Sequence, residues 1–122
     1  MSRKILLVED DEGIRLLYQQ ELEEEGYEIV SAKNGREAIE RLEKEKPDLI
    51  ILDIVMPVMD GMEALGRIVG RERRIPIILN TSYPDYRQEF LSWAADAYVT
   101  KSDDLTELKG KIRELLCRGA KR

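Results

Sequence analysis

The stretch LIILDIVMPVMDG, residues 49–61, decides the fold. Four large aliphatic residues, Leu49, Ile50, Ile51 and Leu52, run straight into Asp53, and Met56-Pro57 and Asp60-Gly61 follow. A segment that is apolar at every position, rather than at alternate ones, suits a strand buried on both faces. A carboxylate at its end costs desolvation free energy unless something pairs with it. Asp53 therefore needs a partner on a neighbouring strand or on a loop that can reach its carboxylate.

Four more runs of strand length flank it: residues 5–8, 27–31, 75–79 and 97–100. They are rich in Ile, Val, Leu and Tyr, the residues that fill a pleated surface. Between the runs lie segments with helical apolar spacing, such as Ile14, Leu17, Tyr18 and Leu22 early on and Leu105, Leu108, Ile112 and Leu115 at the end. Gly26 stops the first helix, Asn34-Gly35 opens the second, Pro47-Asp48 separates it from the third strand, and Pro84-Asp85 starts the fourth. Asp104 and Glu107 read as a capping box for the last.

Five βα units in strict alternation make an α/β fold, a five-stranded parallel sheet doubly wound with helices on both faces and right-handed crossovers. The first and third strands are expected at its centre, and the second, which contains Glu28, nearer the edge. The 122 residues suit a single domain, residues 1–122, with a frayed CRGAKR end.

Composition narrows the chemistry. Hydrophobic residues make up 43% and charged residues 37%, which describes a globular chain rather than a disordered one. With 25 acidic and 20 basic residues the net charge is −5, which argues against nucleic acid as a direct ligand. The apolar runs are too short to span a bilayer, and MSRKILLVEDD lacks the apolar region of a signal peptide, so no membrane association and a cytoplasmic location are expected. One cysteine, Cys117, and no histidine rule out an intrachain disulfide, a histidine base and a Cys/His zinc site. Carboxylates, hydroxyls and lysine must carry the chemistry.

In an open parallel sheet ligands sit beyond the carboxyl ends of the strands. The residues that follow the strands are Glu9, Asp10 and Asp11, then Asp53, then Asn80, Thr81 and Ser82, and finally Lys101. Each alone has an ordinary explanation: a helix cap for Asp10 or Asp11, a turn for Asp53, a strand-end hydroxyl for Thr81, a solvated charge for Lys101. Together they converge on one crevice. Two carboxylates 5 Å apart repel by about 3 kcal/mol at an effective dielectric near 20, so positive charge must hold them. Oxygen-only ligands favour Mg²⁺ over zinc, and Lys101 supplies a second positive charge. Such a set neutralises a phosphoryl group during in-line transfer, which makes Asp53 a nucleophile as well as a ligand.

The segments ILLVEDDEGIR, LIILDIVMPVMDG, PIILNTSY and DAYVTK, taken in order, resemble the receiver domain of bacterial two-component response regulators over essentially the whole chain. The resemblance implies the flavodoxin-like strand order 2-1-3-4-5. It implies that Glu9 and Asp10 form an acidic pair, that Asp53 is the phospho-acceptor, and that the Val55 backbone carbonyl joins them as a Mg²⁺ ligand. Asp11 then starts the first helix. It further implies that the Thr81 hydroxyl follows the phosphoryl group, that Lys101 pairs with it, and that Tyr98 changes rotamer with it.

A sensor histidine kinase or phosphotransfer protein would supply the phosphoryl group. The output would be a changed surface on the fourth helix, fifth strand and fifth helix, read by a downstream protein, with the chain a monomer or a weak phosphorylation-dependent dimer. Val55 and Tyr83 would flank the hydrolytic water, and neither holds water well, so slow self-dephosphorylation is expected. The chain departs from the family pattern at Ser102, where proline is usual, at Ala94, where glycine is usual, and at Asn80, where an apolar residue is usual. Two alternatives stay open: a haloacid-dehalogenase-like Mg²⁺ phosphohydrolase, and a degenerate receiver used only for docking.

Overall fold

The computed structural model describes residues 3–53, 75–81, 96–102 and 104–119. Five strands, β1 (Lys4–Val8), β2 (Glu28–Ala32), β3 (Leu49–Leu52), β4 (Ile77–Thr81) and β5 (Ala97–Thr100), form one sheet. All its pairings are parallel and its order is β2-β1-β3-β4-β5. The expected α/β architecture and strand order are both present, with β2 at an edge and β3 in the middle. Every residue of β3 is buried, as its unbroken apolar run requires.

Side chains alternate across the sheet. Leu6, Val8, Ile50, Leu52, Ile77, Leu79 and Tyr98 pack on one face with Ala38, Ile39 and Leu42 of helix α2 (Gly35–Glu45). Ile5, Leu7, Leu49, Ile51, Ile78 and Val99 pack on the other with Tyr18 and Leu22 of helix α1 (Glu12–Glu24) and with Leu108, Ile112 and Leu115 of helix α3 (Thr106–Gly119). Helices thus cover both faces. Leu17, grouped above with the inward face of α1, is instead exposed together with Leu16. The periodicity located the helix but set its apolar face too wide.

Strand limits move where hydrogen bonding outweighs apolarity. The fourth strand is displaced by two residues, from 75–79 to Ile77–Thr81, because Pro76 has no N–H for the ladder and offers only its carbonyl, to Ile50 N at 3.0 Å. Asp96 Oδ2 accepts from Ile77 N at 2.8 Å and fixes the start of that strand. Asn80 and Thr81 are therefore strand residues, paired with Val99 and Thr100, rather than residues beyond the strand.

Helix caps follow side-chain chemistry. Asp11 Oδ1 accepts from Ile14 N at 3.0 Å, and Asn34 Oδ1 accepts from Glu37 N at 2.9 Å. Gly26 takes φ +96°, a left-handed turn that suits glycine, just after α1. The capping box expected from Asp104 and Glu107 takes another form: Asp104 Oδ1 accepts from the N–H and the hydroxyl of Thr106, at 2.9 and 2.6 Å. Thr106 carries both donors within reach of one carboxylate, so the cap closes two residues on rather than three. The Lys101–Ser102 peptide is trans, as is every peptide bond among the described residues.

Candidate functional site

The carboxyl ends of β1, β3 and β5 bring four of the expected residues together. Glu9 and Asp53 each continue their strand by one more ladder hydrogen bond, Glu9 N to Ala32 O at 3.0 Å and Asp53 N to Val8 O at 3.1 Å. The rigid sheet thus sets both carboxylates. Each is buried, 3% exposed for Glu9 and 4% for Asp53, while Asp10 beside them is exposed. Glu9, Asp10 and Asp53 offer one oxygen apiece, all within 4.8 Å of one another.

Lys101, one residue beyond β5, reaches both buried acids. Its Nζ lies 2.8 Å from Asp53 Oδ2 and 2.7 Å from Glu9 Oε1. Burial works to lower its pKa, but hydrogen bonds and charge from Asp53 and Glu9 outweigh it and raise the value. The ammonium stays charged. Burial pushes the Glu9 carboxyl up to about 7, against the hydrogen bonds from Lys101 and from Asp11 N that favour its ionised form. One lysine therefore leaves the acids short of positive charge. An all-oxygen donor set with that deficit fits a hard divalent cation such as Mg²⁺.

Thr81 ends β4, between the strands that carry Asp53 and Lys101 and paired with Thr100. Tyr98 is 5% exposed and belongs to the core on the α2 side of the sheet. Val55, Tyr83 and Ala94 lie outside the described residues. Asn80, flagged above for its polarity, is buried at 3% exposure. Its Oδ1 lies 3.5 Å from Tyr18 Oη.

One residue and one contact escaped the sequence reading. Arg15 Nη1 donates to the Glu9 carbonyl at 2.9 Å, closing the first loop over the site. Its position one turn after Asp11 was the available signal. Lys101 binds Glu9 as well as Asp53, and only the sheet register shows that.

Comparison with known proteins agrees with this geometry. The family model described as the response regulator receiver domain matches residues 5–113. The sporulation initiation phosphotransferase F of Bacillus subtilis (strain 168) is 36% identical over 118 residues, 95% of this chain and 95% of that protein. The alkaline phosphatase synthesis transcriptional regulatory protein PhoP of the same organism is 36% identical over 120 residues, 97% of this chain but 50% of that protein. The chain thus spans about half the length of that regulator. Among solved structures, response regulator protein TrrA from Thermotoga maritima in complex with Mg²⁺-BeF superposes with a TM-score of 0.88 at 47% identity, covering 93% of this chain and 98% of that one. TrrA in complex with histidine kinase ThkA superposes with a TM-score of 0.86 at the same identity and coverage. The conjunction of the 2-1-3-4-5 sheet, the acidic cluster and these likenesses leads to one conclusion: the chain belongs to the response regulator receiver domain family of two-component signal transduction.

Proposed function

We propose that residues 1–122 act as a single receiver domain that accepts a phosphoryl group on Asp53 from a partner histidine kinase or phosphotransfer protein. The observation that carries this is the Lys101 ammonium 2.8 Å from Asp53, with Glu9 and Asp10 completing an oxygen cluster beside it. The chain contains no histidine, so a phosphohistidine donor must come from a partner. TrrA, solved with its histidine kinase, supports a partner of that kind.

The Asp53 carboxylate attacks phosphorus as the P–N bond of the phosphohistidine breaks. The bonding pair leaves on the imidazole nitrogen, which takes a proton from solvent. Lys101 meets charge developing on the phosphoryl oxygens, and the burial of the site strengthens that interaction. Glu9, Asp10, Asp53 and the Val55 carbonyl would hold Mg²⁺, which would supply further charge neutralisation. TrrA bound to Mg²⁺-BeF supports this cofactor.

Thr81 would follow the phosphoryl group and Tyr98 would shift with it. The change would reach a downstream protein through the expected fourth helix, β5 and the last helix, α3, as a local charge event biasing a two-state surface. Val55 and Tyr83 would slow the loss of the phosphoryl group. In this reading the chain is a switch rather than an enzyme acting on external substrates. The phosphohydrolase alternative calls for a nucleophile in an Asp-x-Asp pattern after the first strand, whereas residues 9–11 read Glu-Asp-Asp, which favours the receiver. No helix among the described residues is long and apolar enough to cross a membrane.

Intact-mass analysis after treatment with a small-molecule phosphodonor tests the proposal. One phosphoryl mass should be added to the native chain with Mg²⁺ and not without it, and none to Asp53→Asn. Equal addition to Asp53→Asn would overturn it.

A further inference from the structure

Among the described residues one buried side-chain atom has no hydrogen-bond partner, Asn80 Nδ2. It lies next to the site, in the strand residue before Thr81. Across from it stands Tyr18 of α1, 3% exposed, whose Oη is 3.5 Å from Asn80 Oδ1 and 3.4 Å from the Ser102 carbonyl oxygen. Burial pushes the phenol's pKa up, so the hydroxyl keeps its proton at neutral pH. One proton shared between two acceptors at these distances makes a good bond to neither.

Turning the Asn80 amide by 180°, which exchanges groups of nearly equal size, resolves the conflict. The amide N–H then donates to Tyr18 Oη, and the phenol proton is free for the Ser102 carbonyl. The amide oxygen takes the unpartnered place, and a buried carbonyl tolerates that better than a buried N–H. The result is a directed chain from Asn80 N–H through Tyr18 O–H to Ser102 C=O, in which each bond polarises the next.

Its ends give it a purpose. Lys101 has Thr100 on one side, locked in the β4–β5 ladder against Thr81, and Ser102 on the other. Ser102 is otherwise exposed, its hydroxyl used by Asp104 N at 3.1 Å. The Tyr18 contact therefore fixes the backbone just after Lys101. We propose that Tyr18 and Asn80 are positioning residues for phosphoryl acceptance, which hold the Ser102 carbonyl and through it the reach of Lys101 to Asp53. The inference rests on the receiver function above.

The test uses the full chain as native protein, Tyr18→Phe, and Tyr18→Phe/Asn80→Val. Phosphoryl loading from a small-molecule donor with Mg²⁺ is followed across donor concentrations, well below each unfolding midpoint. Tyr18→Phe keeps the buried ring but strands the Asn80 amide, so its midpoint should fall. Replacing the amide by Val should restore the midpoint, since no buried polar group is left unpaired.

Loading should be slower by about three- to tenfold in both variants, as a lower maximal rate at unchanged donor saturation, because the positioning is lost in both. Native-like loading in Tyr18→Phe overturns the proposal. Recovery of loading together with the midpoint in the double variant also overturns it, since packing alone would then account for the effect. A native chain that takes no phosphoryl group overturns the receiver function and this inference with it, an outcome distinct from a loaded native chain matched by its variants.

Discussion

Lys101 binds Glu9 at 2.7 Å, as closely as it binds Asp53 at 2.8 Å, so one ammonium joins the ends of the first and third strands. Removing one partner of a buried charged cluster leaves the others uncompensated. Lys101→Met should destabilise the metal-free chain by about 3 kcal/mol at pH 8. The loss should be smaller at pH 5, where Glu9 carries a proton and no longer needs the ammonium's charge. Denaturant unfolding at the two pH values measures both; an equal loss at each would contradict the shared clamp.

Glu9 itself imposes a pH dependence. Its folded value, about 7, lies above the ordinary carboxylate value of 4.5, so the folded state binds the proton more tightly than the unfolded one. Its contribution to the stability of the metal-free chain is present below pH 4.5 and lost as pH rises to 7. Glu9→Gln should flatten stability over that window, as read by thermal midpoints from pH 4 to pH 8.

If ionised Glu9 helps to hold the cation, its protonation below pH 7 should weaken Mg²⁺ binding, by less than the loss of Asp10 does. The two acids of the first loop should contribute unequally. Glu9 is already bound by Lys101 and Asp11 N, whereas Asp10 is exposed and uncommitted to Lys101. Asp10→Ala should weaken Mg²⁺ binding more than Glu9→Gln. A metal titration giving the reverse order would reassign the ligands.

Thr81 sits at the end of β4, between the strands that carry Asp53 and Lys101. Thr81→Ala should leave Asp53 able to load yet uncouple it from the output surface. Coupling of this kind is worth about 1–3 kcal/mol, a five- to 150-fold change in partner affinity. A phosphorylated variant that bound its partner as tightly as the phosphorylated native chain would remove Thr81 from the switch.

The lifetime of the signal depends on placing a water in line with the acyl phosphate. If Val55 and Tyr83 flank that water, a valine side chain with no hydrogen-bonding group and a bulky tyrosine should make native decay slow, and a Val55→Asn/Tyr83→Glu variant should decay faster. Following the phosphorylated mass over time decides; equal lifetimes would defeat the shielding idea.

The order of elements was legible in the sequence because it depends on local patterns. Apolarity at every position of Leu49–Leu52 marks a doubly buried strand, and Asp11, Asn34 and Gly26 punctuate helices through hydrogen bonds and backbone conformations a few residues long. The acids and the lysine of the site could be named for the same reason, since each follows a strand and all strands of a parallel sheet end on one edge. Where local rules competed, the sequence misled: Pro76 displaced the fourth strand by two residues, and Leu17 carried an apolar side chain on an exposed turn of helix.

Only the tertiary structure decided which charges meet and how far they are desolvated. The Glu9–Lys101 bond joins residues 92 apart in number, and it exists because β1 and β5 end on the same edge of one sheet whose register no local pattern encodes. The raised Glu9 carboxyl follows from burial, a property of everything packed around it rather than of its neighbours in the chain. Tyr18 makes the same point. In the sequence it is one apolar step along an amphipathic helix; folding sets its hydroxyl within reach of Asn80 and Ser102, 62 and 84 residues away.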